Sequence, residues 1–299
     1  MTPTPLEEAT LAGRRVLLKR EDVHELGAFK WRGALPVLER FRADGAQAVV
    51  TASTGNHGAA TAWAANRVGL DAIVYAPETA SPAKLALIED GGAEIRRTGA
   101  DLDEAKAEGR AHASQNGLPF FEDGAEPAQY AGYRAIGEEI LAQSLEPPAA
   151  VVVPLGNGAL LGGIGLAIAG AAPDTERIGV AAKEAPVMVE SWKAGRAVQG
   201  ASSATFADGL AVRGAIPLAV EVLGEVATRM MAVSERSIAR AVGEYSSAGI
   251  RAEGAAAAAL AAVPELGDLG DPLILIVTGR NIDDELFTRA CEQPDSFPD

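Results

Sequence analysis

The stretch Gly27-Ala28-Phe29-Lys30-Trp31-Arg32-Gly33-Ala34 places one lysine at the start of a predicted helix. The apolar run Val16-Leu17-Leu18 ahead of it predicts a strand, and the helical pattern continues to about Phe41. Lys30 is therefore predicted to lie where a strand passes into a helix, and ligands of α/β proteins bind at such junctions. An ordinary surface lysine in a first helical turn is the alternative. Other segments of the chain are needed to distinguish a ligand-binding lysine from a surface lysine.

Length and charge restrict the class of protein. The chain has 299 residues and a net charge of −15, so we expect one large or two ordinary domains and no nucleic acid partner. The single cysteine, Cys291, excludes an intrachain disulfide, and three scattered histidines give no metal site. We find no signal-peptide pattern and no apolar run that would span a membrane. These features predict a cytoplasmic protein without a metal.

Short apolar runs alternate with helical patterns along most of the chain. Residues 48–127 begin with the buried-strand run Ala48-Val49-Val50-Thr51-Ala52, and two further strands and a short one at 119–121 follow with helices between them. The segment from 128 to the end repeats this alternation. We therefore predict two doubly wound α/β domains, a small one of residues 48–127 and a large one of residues 1–47 and 128–299.

Four strand-to-helix junctions are rich in glycine and hydroxyl or amide side chains, at 53–58, 155–160, 208–209 and 278–281. Gly156-Asn157-Gly158 suits a single phosphate at a helix N-terminus. A dinucleotide fingerprint fails in its usual spacing because Leu161 stands where its third glycine is needed, although a longer spacing to Gly162 stays open. A plain tight turn is the other interpretation. Ser53–Gly58 suits a carboxylate, or serves only as a helix cap. A Ser/His hydrolase is disfavoured, since Ser53 lies outside a G-x-S-x-G motif.

Taken together, six segments resemble the motifs of the fold-type II pyridoxal phosphate enzymes, in particular the threonine dehydratase, serine racemase and serine dehydratase group. In chain order they are Lys19–Asp22 with Gly27–Ala34, Ser53–Gly58, Gly156–Leu160, Ala207–Gly209, Glu253–Ala255 and Thr278–Asp283. They cover roughly residues 16–284. The resemblance implies the fold of the tryptophan synthase β-subunit, with two doubly wound α/β domains and the cofactor in the cleft between them.

The resemblance also implies roles for individual residues. Lys30 would bind pyridoxal 5′-phosphate as a Schiff base and later act as the base at the substrate Cα. The other implied cofactor-binding residues are Phe29 beside the ring, Asn56 at its 3′-oxygen, Thr278 at the pyridine nitrogen, Gly156, Asn157, Gly158, Ala159 and Leu160 around the phosphate, and Gly209 and Glu253. The implied substrate-binding residues are Ser53, Thr54, Asn56, His57, Tyr133 and Arg134. The Thr54 hydroxyl either returns a proton to Cα or only caps the helix.

A hydroxyl such as that of Thr278 cannot keep a pyridine nitrogen protonated, and the weaker electron sink suits β-elimination. We therefore predict a lyase that removes water and then ammonia from a β-hydroxy amino acid, acting as a homodimer on a small substrate. Three positions, Arg134, Asn157 and Thr278, instead resemble threonine synthase. That likeness keeps open an enzyme of γ-elimination and replacement or of β-replacement, with a phosphorylated or acidic substrate. A relative that binds the cofactor without turnover is the third possibility.

Overall fold

The computed structural model describes residues 2–299, apart from the side chains of residues 83 and 84. Among these residues the strands are β1 (Leu6–Leu11), β2 (Arg14–Arg20), β3 (Ala48–Ala52), β4 (Asp71–Ala76), β5 (Glu94–Arg97), β6 (Ala150–Pro154), β7 (Glu176–Ala182), β8 (Arg229–Val233) and β9 (Leu273–Val277). The helices are α1 (Trp31–Ala43), α2 (Asn56–Val68), α3 (Pro82–Asp90), α4 (Leu102–Asn116), α5 (Pro127–Gln143), α6 (Ala159–Ala171), α7 (Val187–Ala194), α8 (Pro217–Val226), α9 (Glu235–Ser247), α10 (Gly254–Ala261) and α11 (Asp284–Glu292).

The chain divides into two compact units. One unit joins the segment that ends at Ala28 to Tyr133–Asp299, and the other is Phe29–Gly132. Each unit contains one sheet, so the predicted architecture of two α/β domains is confirmed. Helices and strands alternate in both units, because short apolar strands need helices on their faces to bury them.

The larger unit is built on a six-stranded sheet in the order β1-β2-β9-β6-β7-β8. Strand β1 pairs antiparallel with β2, and the other neighbours are parallel. All residues of β6 and β9 are buried, as expected for central parallel strands covered on both faces. The carboxyl ends of β6 and β9 lie side by side, which brings the loops after Pro154 and Val277 to the same edge of the sheet.

The helix α10 is buried along its whole length beneath this sheet. Its sequence is almost entirely alanine, from Ala255 to Ala259 and again at Ala261. Small side chains let a helix approach a sheet closely without cavities, because the packing density of protein interiors leaves little free volume. The alanine run is therefore a packing feature of the large core and carries no chemistry.

The smaller unit contains the parallel sheet β3-β4-β5, with Val50 opposite Ile73 and Ile73 opposite Glu94. Helix α1 packs on this unit through aromatic contacts. The Trp31 and Trp63 rings meet edge to face at 6.0 Å, and the Phe41 and Phe121 rings at 6.5 Å. These contacts give α1 its place in the smaller unit.

The unit boundaries and two elements differ from the prediction. The divisions fall after Ala28 and after Gly132 rather than near residues 47 and 128, because α1 buries its aromatic face within the smaller unit. The predicted strand at 119–121 forms only an isolated bridge between Phe120 and Val50. The strand Leu6–Leu11 was missed, since its pairing is an edge contact and only its last residue is buried. In the described part of the chain, no helix is long and apolar enough to span a membrane.

Candidate active site

Lys30 lies at the N-cap position of α1, one residue before the first helical residue. Its backbone is already helical, with φ −58° and ψ −25°, and its carbonyl accepts the N–H of Ala34 at 3.0 Å. The ammonium Nζ lies 5.0 Å from the centre of the Phe29 ring and 2.5 Å from Asp123 Oδ2. The side chain is only 15% exposed, so this lysine is a shielded and paired group rather than a surface one.

The loop after β3 enters α2 directly. Ser53 Oγ accepts the N–H of Gly55 at 3.1 Å, and Asn56 and His57 are the first two residues of the helix. Thr54 is partly buried beside them. Because the first N–H groups of a helix have no acceptor within it, this loop is suited to binding a carboxylate.

Asp123 is a residue that the sequence reading missed. It follows Phe121 and Glu122 on the smaller unit, and it contacts Lys30 through Oδ2 and Gln129 Nε2 through Oδ1, each at 2.5 Å. Burial tends to raise the pKa of Asp123, but the Lys30 ammonium, His57 and the hydrogen bonds from Lys30 and Gln129 hold it well below its usual range. The signal available in the sequence was an acidic residue before a glycine, two positions after the apolar stretch at 119–121.

The loop after β6 forms a tight cradle at the start of α6. Gly158 has φ +92°, a left-handed conformation that side chains disfavour, and a Cβ there would lie 2.6 Å from Leu223 Cδ1. A Cβ on Gly156 would overlap the carbonyl oxygen of Gly209. The Asn157 side chain accepts the N–H of Ala159 at 3.1 Å, and Leu160 follows in the first turn. This arrangement of glycines and free helical N–H groups fits a phosphate.

The loop after β9 lies at the same sheet edge and contacts Glu253. The backbone N–H of Glu253 donates to Gly279 O at 3.0 Å, and a Cβ on Gly279 would lie 2.7 Å from Glu253 Oε1. A Cβ on Gly209 would in turn be 3.9 Å from that oxygen. The structure therefore brings Gly156, Gly209, Glu253 and the residues after Val277 into one cluster on the larger unit.

Thr278 carries a buried hydroxyl in this cluster. The residue is 2% exposed, and its Oγ1 has no hydrogen-bond partner among the described residues. An unpaired buried hydroxyl is costly, so such groups usually meet a ligand or water. This hydroxyl, together with the glycine cradle, fits the pyridine nitrogen and the phosphate of pyridoxal phosphate. The residues present thus match the predicted cofactor.

The two bulky residues after Gly132 have other surroundings. Tyr133 is fully buried in the core of the larger unit. The Arg134 side chain is 53% exposed, and its Nε donates to Glu138 at 2.9 Å along α5. Their predicted contact with the substrate stays a prediction, and the charge of Arg134 already has a carboxylate partner.

Comparison with known proteins indicates the same cofactor as the residues of the site. The family model for "Pyridoxal-phosphate dependent enzyme" matches residues 1–279. The chain is 34% identical over 275 residues to an L-threonine ammonia-lyase of Geobacter sulfurreducens, covering 91% of this chain and 68% of the relative. It is 33% identical over 287 residues to an L-threonine ammonia-lyase of Thermotoga maritima, covering 95% of this chain and 71% of the relative.

Among solved structures, the processed form of threonine deaminase isoform 2 from Solanum lycopersicum superposes with a TM-score of 0.90 at 27% identity. That match covers 97% of this chain and 88% of the tomato chain. The family model matches more than nine tenths of the sequence, and the architecture is shared with the tomato enzyme. The chain belongs to the pyridoxal-phosphate dependent enzymes, in the fold-type II group of threonine dehydratases, serine racemases and ammonia-lyases.

Proposed function

We propose that this protein is an ammonia-lyase that removes water and then ammonia from a β-hydroxy amino acid such as threonine or serine, giving a 2-oxo acid. The observation that carries the proposal is the unpaired, buried Thr278 hydroxyl after β9. A hydroxyl does not keep a pyridine nitrogen charged as a carboxylate does, so it favours a reaction in which the leaving group takes up the electrons. The names of the two bacterial relatives support the same reaction class.

Some residues of the chain would bind the substrate, and others would transfer protons. Pyridoxal phosphate, when bound, supplies the electron-accepting ring that this elimination needs. Lys30, as a neutral amine, would take the proton from the substrate Cα. Ser53, Asn56 and His57 would hold the substrate carboxylate at the N-terminus of α2, where N–H groups and the helix dipole favour an anion. Thr54 would lie beside them, as a proton donor or as part of the loop only.

The alternative of a phosphorylated substrate depends on Arg134. Its guanidinium is half exposed and already paired with Glu138. A receptor for a phosphate would instead present an unpaired, shielded guanidinium. The geometry therefore favours the lyase.

The first experiment locates the cofactor. Purified protein reconstituted with pyridoxal phosphate should show the visible absorption band of a lysine-linked cofactor, and borohydride reduction followed by peptide mass analysis should place the label on Lys30. Lys30→Ala should lose the band. Lys193→Ala, which changes an exposed lysine on α7, should keep it. A label on another lysine would refute the proposal.

The second measurement separates the reactions. Release of 2-oxo acid from L-threonine and L-serine is compared with release of phosphate from O-phosphohomoserine, using the same preparation. The proposal expects 2-oxo acid, no phosphate release, and a loss of more than about 10³-fold in rate for Lys30→Ala, because a positioned base typically contributes 10²–10⁴-fold and the cofactor link is lost as well. Phosphate release without 2-oxo acid from either hydroxy amino acid would contradict the proposed lyase activity and support a threonine synthase-like reaction.

A further inference from the structure

Asp123 stands between two other titratable groups of the smaller unit. Its Oδ2 lies 2.5 Å from Lys30 Nζ, and its Oδ1 lies 3.8 Å from His57 Nδ1. The Asp123 side chain is 24% exposed, and the His57 side chain 10%. The carboxylate therefore contacts the ammonium directly and faces the imidazole across a gap slightly longer than a hydrogen bond.

The orientation of this carboxylate is fixed by Gln129. The Gln129 side chain is fully buried, and its Oε1 accepts the N–H of Gly124 at 2.7 Å. Since the oxygen is used in this way, the amide nitrogen has to face Asp123 Oδ1, to which it donates at 2.5 Å. The carboxylate is thus held in place by a neutral donor that does not titrate.

Hydrogen bonding also determines the tautomer of His57. The Thr51 hydroxyl has one hydrogen, which it donates to Phe121 O at 2.7 Å. Toward His57 Nε2, 3.0 Å away, the same oxygen has to be the acceptor, so Nε2 carries the hydrogen. The other nitrogen, Nδ1, then presents a lone pair to Asp123. Their separation of 3.8 Å is too long for a hydrogen bond.

Burial and the charged groups around His57 act on its pKa in opposite directions. Burial lowers the pKa of His57, the Asp123 carboxylate raises it, and the charges of Lys30 and Lys106 lower it. Lys106 is itself paired with Glu122. Burial and the Asp123 charge raise the pKa of Tyr130, whose hydroxyl donates to Gly124 O and stays protonated. With Lys30 charged, His57 is neutral.

We propose that Asp123 couples the charge of Lys30 to the protonation of His57, so that the imidazole takes up a proton when Lys30 loses its positive charge. The Nζ–H bond of Lys30 breaks and its proton goes to solvent, while Asp123 stays ionised. A proton from solvent forms the new N–H bond at His57 Nδ1, which then donates to Asp123 Oδ1, the oxygen that also accepts from Gln129. The sum is ammonium plus imidazole giving amine plus imidazolium, with no change in oxidation state and the carboxylate unchanged.

The coupling would favour the neutral amine that Lys30 needs in order to bond to the cofactor or to act as a base, since a proton on His57 disfavours the ammonium. This use of it rests on the proposed function, whereas the coupling itself is a property of the three side chains. Asp123 would act on the reaction through Lys30, so it is a positioning residue. The loop that holds the substrate carboxylate would also gain a positive charge at His57 when Lys30 loses one.

The test is the titration of His57 in the full-length, cofactor-free protein. The chain has only three histidines, so ¹⁵N-histidine spectra resolve each ring, with His24 and His112 as internal references. In the wild type we expect the neutral Nε2–H tautomer and a titration below the ordinary value. Lys30→Met should move the His57 titration up by about 1 pH unit or more, because a like charge is lost and the carboxylate is freed. Lys30→Arg, which keeps the charge, should leave it close to the wild type.

The role of Asp123 is isolated by repeating the change in Asp123→Asn. In that background, Lys30→Met should move the His57 titration by less than half as much, since no carboxylate remains to accept a hydrogen bond from Nδ1. Equal shifts in the two backgrounds would mean simple repulsion through space and would overturn the proposal. So would an Nδ1–H tautomer in the wild type, an observation that needs no variant. A wild type that never binds the cofactor would refute the proposed function instead, without altering the titration result.

Discussion

The Thr278 hydroxyl shows how much one buried polar atom decides. Its position at the end of a fully buried strand removes it from water, and no described residue satisfies it. A buried polar group without a hydrogen-bond partner destabilises the cofactor-free protein. When a ligand binds and provides that partner, the same group strengthens binding. The same atom therefore affects the stability of the cofactor-free protein and the affinity for the cofactor in opposite directions.

We predict that Thr278→Val stabilises the cofactor-free protein by about 1 kcal/mol and raises the Kd for pyridoxal phosphate about tenfold, since it removes an unpaired hydroxyl and keeps the shape. Urea unfolding and a fluorescence titration with the cofactor measure the two effects. Thr278→Ser keeps the hydroxyl and serves as the control. A destabilised Thr278→Val protein with unchanged cofactor affinity would show that the hydroxyl has a structural partner.

At the scale of elements, helix α5 is held against α6 by a glycine contact. A Cβ on Gly137 would lie 2.7 Å from Ile164 O and 2.8 Å from Ala167 Cβ. The obstacle at Ile164 is backbone, which cannot rotate away as a flexible side chain can. The close approach of the two helices therefore depends on the missing side chain at this position.

We expect Gly137→Ala to lower the free energy of unfolding by about 1–3 kcal/mol, because overpacking forces the two helices apart. Gly170→Ala is the matched control, since Gly170 is exposed near the end of α6 and a Cβ there would contact nothing within 4 Å. The control should be neutral or more stable by up to about 1 kcal/mol, through helix propensity alone. Denaturant unfolding measures the free energy of unfolding of both variants. Equal changes in the two would show that close packing at Gly137 is not the cause.

At the scale of the whole molecule, a buried lysine ties the beginning of the chain to a helix more than a hundred residues later. Lys19 on β2 is fully buried, and its Nζ donates to Glu139 Oε2 at 2.6 Å, to Gln143 Oε1 at 2.9 Å and to Thr4 O at 2.8 Å. These bonds hold the N-terminal hairpin to α5 within the larger unit. A buried charge of this kind is tolerated only because its partner is in place.

Lys19→Met should cost about 3–5 kcal/mol of unfolding free energy, because it removes the cation that balances the shielded Glu139 carboxylate. Adding Glu139→Gln should restore a large part of that loss. Arg15→Met removes the exposed ion pair between β2 and Glu8 of β1 and should leave the unfolding midpoint within error. If the double variant were no more stable than Lys19→Met alone, the uncompensated charge of Glu139 would not be the cause.

The sequence by itself determined the local elements and the chemistry of the loops. Apolar runs such as Ala48–Ala52 predict strands, because buried parallel strands need continuous apolar residues, and the strand was found at those residues. Glycines at 156 and 158 mark a turn that only small residues can form, and the cofactor followed from the family motifs around Lys30. These features are local, since each depends on a few neighbouring residues.

Only the tertiary structure decided which distant residues meet. Nothing in the pattern around Asp123 shows that it contacts Lys30, because a contact between residues 93 positions apart depends on how the intervening strands and helices pack. The assignment of α1 to the smaller unit likewise follows from ring contacts of Trp31 and Phe41 that periodicity does not predict. Sequence patterns encode burial and local conformation, whereas partner choice is set by the packing of the whole chain.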